Sequence, residues 1–124
     1  MPAPLGRDLP NRILVRRILR EGRSVSTPLG RIIVGPENLG RHPRALVVAG
    51  KTVSKKSTVR NRAKRRIAAW ARHEALASRM ARSIVILAAP PVATMSRAAF
   101  RVAAADAAAH LARARSRIAF SPSR

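Results

Sequence analysis

Apolar residues recur along this chain with two different periods. In NRILVRRILREG, residues 11–22, Leu14, Val15, Ile18 and Leu19 stand at i, i+1, i+4 and i+5, and Arg12, Arg16, Arg17 and Arg20 fall outside that stripe. Such spacing marks one face of an amphipathic α-helix. Asn11 is suited to cap its start, and Gly22 follows the last periodic residue as a C′ glycine would. A second stripe, Val59, Ala63, Ile67 and Trp70, steps by four, four and three. It predicts a helix from near Thr58 to about Ala77, with Ser54, Ser57 and Thr58 upstream as N-cap candidates. Ser96 is suited to cap a third helix. Its apolar face is Phe100, Ala103, Ala104, Ala107 and Leu111, with Arg97, Arg101 and Arg113 elsewhere.

Between the helices the pattern shortens. From Ser24 to Val34 the β-branched residues Val25, Thr27, Ile32 and Ile33 suggest a strand interrupted by Pro28-Leu29-Gly30, where proline points to an edge or a bulge. Residues 35–44 are a turn-rich connection. Ala45–Ala49 and Ser83–Ala89 are short continuous apolar runs, as expected of strands buried on both faces, and Pro90-Pro91 stops the second. The order is helix, strand, strand, helix, strand, helix. Two apolar strands flanking a long helix form a βαβ unit, which predicts parallel pairing in one small sheet of an α/β domain. At 124 residues the chain has room for one such domain.

Charge changes the reading of the second helix. KTVSKKSTVRNRAKRR, residues 51–66, carries Lys51, Lys55, Lys56, Arg60, Arg62, Lys64, Arg65 and Arg66 with no acid among them. Like charges at this density repel unless an anion neutralises them. Because the apolar stripe seats one side of the helix on a core, the cations fan out over the other sides. The whole chain has 26 Lys plus Arg against 5 Asp plus Glu, a net +21, which is too much for a merely solvated face. Binding to a phosphate backbone, strong and salt-sensitive through counterion release, is the expected use. No apolar run approaches the roughly 20 residues of a membrane span. No h-region follows the N-terminus, so a cytoplasmic location is expected.

Other chemistry finds little support. Cysteine is absent, which removes disulfides and thiolate metal sites. His42, His73 and His110 are far apart and fit no metal-ligand spacing. Glu74 and Asp106 lie within helices near arginines and read as surface ion pairs. No G-x-S-x-G elbow occurs, and the Gly50-Lys51-Thr52 tripeptide fails as a P-loop because Ala45 stands where the first glycine belongs. With one tryptophan, two phenylalanines and no tyrosine, base stacking on aromatic platforms is largely unavailable, and Trp70 reads as a core residue. Recognition must rest on phosphates, arginine planes and shape. Charge alone does not separate a ribosomal-type structural RNA-binding protein, a DNA-compacting protein and an RNA-processing factor.

Arg60-Asn61-Arg62 followed by Lys64-Arg65-Arg66, with Val53-Ser54-Lys55-Lys56 before them, resembles the RNR signature of the bacterial ribonuclease P protein subunit. Gly50-Lys51-Thr52 stands in altered form where the family often has Ser-Lys-Lys. Gly22-Arg23-Ser24-Val25 is similar to the family's turn into its first strand, and Ser83–Leu87 to a later strand. The resemblance spans roughly residues 9–115, a single domain flanked by flexible tails at 1–8 and 116–124. It implies a two-layer α/β (α+β) sandwich resembling domain 2 of ribosomal protein S5, with a small mixed sheet and a left-handed βαβ crossover. It also implies an accessory subunit of a ribonucleoprotein endoribonuclease. That particle removes the 5′ leader of precursor tRNA by RNA chemistry, with Mg²⁺ held mainly by RNA.

The implied partners are the catalytic RNA and precursor tRNA, with no membrane and no small-molecule cofactor. By the same resemblance, Lys51, Ser54, Lys55, Lys56, Arg60, Asn61, Arg62, Lys64, Arg65 and Arg66 are the RNA-binding residues. Asn61 is suited to a directed hydrogen bond. Arg12, Val15, Arg16 and Leu19 would line a cleft for the leader. No residue is assigned to catalysis or to a metal. The family commonly has aromatics at two first-helix positions that fall here on Val15 and Leu19, so a weaker leader contact is expected.

Overall fold

A computed structural model of the chain describes residues 10–36 and 42–120, the last four by backbone alone. Its elements are α1 (Asn11–Glu21), β1 (Arg23–Thr27), β2 (Gly30–Val34), β3 (Ala45–Val48), α2 (Ser57–His73), α3 (Leu76–Met80), β4 (Ile84–Ala88), a 3₁₀ turn (Pro90–Ala93) and α4 (Arg97–Phe120). The strands form one sheet in the order β1-β2-β4-β3. β3 and β4 are parallel, Ala45 opposite Ile84 and Val47 opposite Ile86, while β1–β2 and β2–β4 are antiparallel. The expected βαβ unit is therefore present as β3–α2–β4, with α3 inserted before the return strand.

Alternation along the strands sorts side chains onto two faces. Ile32, Val34, Val47, Ile84 and Ile86 point to one face, where they pack against Ala63, Ile67 and Ala71 of α2, Leu76 and Met80 of α3, Val92, and Ala103, Ala107 and Leu111 of α4. On the other face Ile33 and Val85 pack against Leu14 and Ile18 of α1, with Val15, Leu46 and Leu87 partly buried beside them. Each large aliphatic buried here contributes about 1.5–3 kcal/mol. The second face is covered in part. The cross-strand row Ser26–Arg31–Leu87–Val48 lies on it, and all four residues keep access to solvent.

Several local expectations change. Ser24–Val34 is a two-stranded hairpin rather than one interrupted strand. Pro28 and Leu29 form its turn, so the proline sits outside the ladder and needs neither an edge nor a bulge. The Thr27 hydroxyl donates to the Gly30 carbonyl (2.6 Å) and accepts from the Leu29 amide (3.2 Å), while Leu29 is fully buried and plugs the core. Gly30 has φ +131°, and a Cβ there would lie 2.0 Å from the Leu87 carbonyl oxygen.

Gly22 does end α1, but with extended backbone (φ −84°, ψ 173°). Glycine is needed there because a Cβ would meet the Val34 carbonyl oxygen at 2.6 Å. Asn11 does not cap α1. Pro10 holds that position, and the Asn11 side chain accepts a 2.5 Å hydrogen bond from Arg44, tying α1 to the start of β3.

α2 stops at His73 rather than near Ala77, because Ala75 takes left-handed backbone (φ 50°) and redirects the chain into α3. None of Ser54, Ser57 and Thr58 caps α2: Lys56 is at the N-cap, and Ser54 accepts the Lys56 amide in the preceding turn. Ser96 does cap α4, accepting from the Ala99 amide at 3.0 Å. α4 continues to Phe120, past the tail boundary expected at Ser116. The proposed tail 1–8, residues 37–41 of the turn-rich connection and residues 121–124 lie outside the described residues.

Gly30→Ala is expected to cost more than about 2 kcal/mol, from the backbone strain and the overlap with Leu87 together. Gly50, where a Cβ meets nothing within 4 Å, is the control, and Gly50→Ala should stay within about 0.5 kcal/mol. Urea denaturation of the two variants measures both.

Candidate nucleic-acid interface

α2 is held by a buried stripe of Ala63, Ile67 and Ala71, with Val59 and Trp70 packed partly against the same core. This is the predicted seam with Ala71 added. Opposite it, Asn61, Arg62, Lys64, Arg65 and Arg72 are exposed, as are Lys51, Lys55 and Lys56 in the turn before the helix. Ser54 is half-buried and shapes that turn. Arg60 is half-buried too, and its Nη1 donates to the carbonyls of Ser54 (3.0 Å) and Lys55 (2.9 Å). One nitrogen of Arg60 therefore folds back to hold the basic turn in shape, leaving Lys55 and Lys56 outward.

Arg66 behaves differently from its neighbours in the Lys64-Arg65-Arg66 run. Its Nη1 donates to the carbonyls of Val92 (2.7 Å) and Met95 (2.8 Å), and its guanidinium carbon lies 4.8 Å from the centre of the Phe100 ring. Residues 26 and 29 positions away supply those acceptors, so local spacing carries no sign of the contact.

Acids among the described residues do not quench this surface. Among the described residues, Glu21 pairs with Arg17 and Arg20, Glu74 with Arg79, and Asp106 with His110 rather than with an arginine. No cation between Lys51 and Arg66 has an acidic partner among them. No acid among the described residues offsets the field over α2, which falls off within about a Debye length of 8–10 Å.

Beside α2 runs a groove of about 460 Å³ between α1 and β3, lined by Arg12 and Val15 of α1, Leu46 and Val48 of β3, and Lys64 and Ala68 of α2. Two of the four expected cleft residues, Arg12 and Val15, line it. Arg16 and Leu19 are exposed on α1 (Leu19 at 46%) without being part of the lining. The expectation that β3 is buried on both faces is overturned. β3 is an edge strand, and Val48, 37% exposed, opens onto this groove. β4, in the middle of the sheet, is the strand buried on both faces, except at half-buried Leu87. Lys64 belongs at once to the basic helix and to the groove, so the two regions form one continuous surface.

No group of three or more His, Cys, Asp or Glu that could hold a metal ion occurs among the described residues. No helix among them is long and apolar enough to cross a membrane.

A mixed sheet whose crossover helix turns outward a row of cations with no acidic partner among the described residues, next to a groove, defines a small basic RNA-binding α/β protein. Residues 7–113 match the family model described as Ribonuclease P, and the chain belongs to that family. It is the RNA-binding protein component of ribonuclease P, a non-catalytic subunit of a ribonucleoprotein acting on precursor tRNA. Its sheet and crossover have the S5 domain 2-like fold of that family. No curated protein matches the chain significantly.

The acid pairs of α1 leave a mark on titration. The hydrogen bond from Arg17, helped by Arg20, holds the Glu21 carboxyl below the usual glutamate value. A lowered folded-state pKa contributes stability above the unfolded pKa, and that contribution is lost as pH falls through the folded one. In a carboxyl NMR titration Glu21 should titrate below an unpaired glutamate, and Arg17→Ala should raise it toward the ordinary value.

Proposed function

We propose that the exposed surface of α2 and its preceding turn binds the catalytic RNA of ribonuclease P, and that the α1–β3 groove takes the single-stranded 5′ leader of precursor tRNA. Lys51, Lys55, Lys56, Arg60, Arg62, Lys64 and Arg65 neutralise phosphates. Asn61, uncharged at the centre of the block, makes a directed hydrogen bond to a ribose hydroxyl or a metal-bound water. Arg12, Val15, Arg16 and Leu19 approach the leader from α1. The observation that carries this reading is the row of cations with no acidic partner among the described residues, mounted on a helix whose opposite face is buried.

The bond-breaking chemistry belongs to the RNA. Mg²⁺ takes oxygen ligands, chiefly carboxylates and phosphates. The charged residues between Lys51 and Arg66 are all cations, a donor set that does not fit the ion, which leaves RNA phosphates to hold it. What this chain supplies is charge and shape: its cations relieve phosphate repulsion, so the RNA folds and binds substrate with less Mg²⁺. Such a particle works in the cytoplasm, where precursor tRNA is made.

Reconstitution tests the reading. The protein should let its cognate catalytic RNA cleave precursor tRNA at Mg²⁺ too low for the RNA alone. Failure to do so, with co-purification on ribosomes, would favour a ribosomal role. Arg65→Ala should reduce the slope of log affinity against log salt by about 0.7–0.9, one phosphate contact. An unchanged slope would take Arg65 out of the interface.

The leader groove has an aliphatic floor, so affinity should rise only shallowly with leader length. Val15→Phe should steepen that rise by about 1 kcal/mol for the base that comes to stack on the new ring. Precursors with graded leaders measure the effect.

A further inference from the structure

Arg66 sits in the densest run of charge in the chain, yet its guanidinium is turned toward the protein. Nη1 serves two carbonyls, Val92 O and Met95 O, on the segment that leads from β4 into α4. No backbone amide among the described residues donates to either oxygen. The segment begins with Pro90 and Pro91, which have no N–H to offer. Below the guanidinium lies the Phe100 ring, on the first turn of α4. A planar cation that donates to two acceptors while stacking on a ring is held in one orientation.

α2 needs such a fixture. Its buried stripe contains one large fully buried residue, Ile67, between two alanines, Ala63 and Ala71. Alanine presents a smooth surface, which resists rotation about the helix axis less well than interlocking side chains do. At a side-chain radius of about 5–6 Å, a roll of about 30° moves an outward group by about 3 Å, the length of a hydrogen bond. Arg62 lies one turn before Arg66 on the same flank, and Arg65 is its neighbour in sequence. The orientation of α2 thus decides whether these side chains meet their phosphates.

We propose that Arg66 is a positioning residue: it sets the roll of α2 from the inside, and so aligns Asn61, Arg62 and Arg65 with the RNA, without touching a phosphate itself. The inference rests on the reading that α2 faces the catalytic RNA.

The experiment compares full-length variants for binding to the catalytic RNA as a function of salt, counting only binding-competent protein by stoichiometric titration against RNA far above its Kd. Arg66→Leu should weaken binding by about tenfold with the salt slope unchanged. Phe100→Leu, which removes the ring and no charge, should weaken binding in the same direction. The double variant should be no worse than Arg66→Leu alone, because both act through one contact.

A slope lowered by about 0.7–0.9 in Arg66→Leu, with Phe100→Leu silent, would make Arg66 a phosphate contact and overturn the proposal. Unchanged affinity of the folded fraction in both single variants would overturn it too. If Arg66→Leu does not fold, Arg66→Gln, which loses the charge and keeps a donor, reads the same slope. Arg65→Ala in parallel separates the two levels. If it leaves the slope unchanged, the interface reading itself fails; if it lowers the slope while Arg66→Leu does too, only the positioning role fails.

Discussion

Burial of one narrow apolar stripe against the sheet lets a helix this charged exist as a rigid body. Two unit charges about 4 Å apart in water repel by about 1 kcal/mol, less in salt. The eight cations between Lys51 and Arg66 have no acid among them to offset this. Against that stands the burial of Ala63, Ile67 and Ala71, reinforced by Val59 and Trp70, on a face that already holds Val47, Ile84 and Ile86. A single buried isoleucine contributes about 1.5–3 kcal/mol, so the seam outweighs several exposed pairwise repulsions. The repulsion that remains is released when an anionic polymer arrives, which turns a folding cost into binding free energy.

The two faces of the sheet are treated unequally, and the inequality creates the groove. α1 has 11 residues and is about 16 Å long. Four strands at about 4.8 Å spacing span about 14 Å. α1 starts beside β3, where Asn11 meets Arg44, and ends where Gly22 abuts the end of β2, so it crosses the sheet at one end. A helix laid this way covers one row of side chains, Ile33 and Val85, and leaves the next row open. The strand at that margin, β3, has its outer edge free for the same reason: the crossover places β4, not β3, at the centre. α2 then forms the outer wall, bringing Lys64 and Ala68 to the groove beside Arg12 and Val15.

How much of this was legible in the sequence follows the range of the interactions. α1, the seam of α2, the βαβ unit and the Ser96 cap depend on residues three or four positions apart, or on runs of one residue class, and periodicity reads these directly. The hairpin at Pro28-Leu29 was harder, because it depends on a buried leucine that only tertiary structure identifies as a plug. The end of α2 is set by Ala75 in left-handed backbone, which no residue preference of alanine announces. ALVVA reads as a strand buried on both faces, and only the strand order shows it to be an edge. Arg60 and Arg66 carry the same side chain as Arg62 and Arg65. Their carbonyl partners, local for one and distant for the other, give them surroundings that the repeated residue type does not announce.

Aromatic rings show where the specificity of this surface lies. Phe100 is spent beneath Arg66, and Trp70 packs partly into the core, so neither is offered to a base. The groove floor is Val15, Leu46, Val48 and Ala68, aliphatic groups that contact any base and discriminate little among them. Its polar groups are the long cations Arg12 and Lys64, which read backbone charge rather than base edges. On the proposal that this groove takes the 5′ leader, a site built this way accepts leaders of many sequences and holds them by contour and phosphate. On the same proposal the loss of stacking strength is matched by tolerance of leader sequence, and register is left to the rigid basic helix alongside.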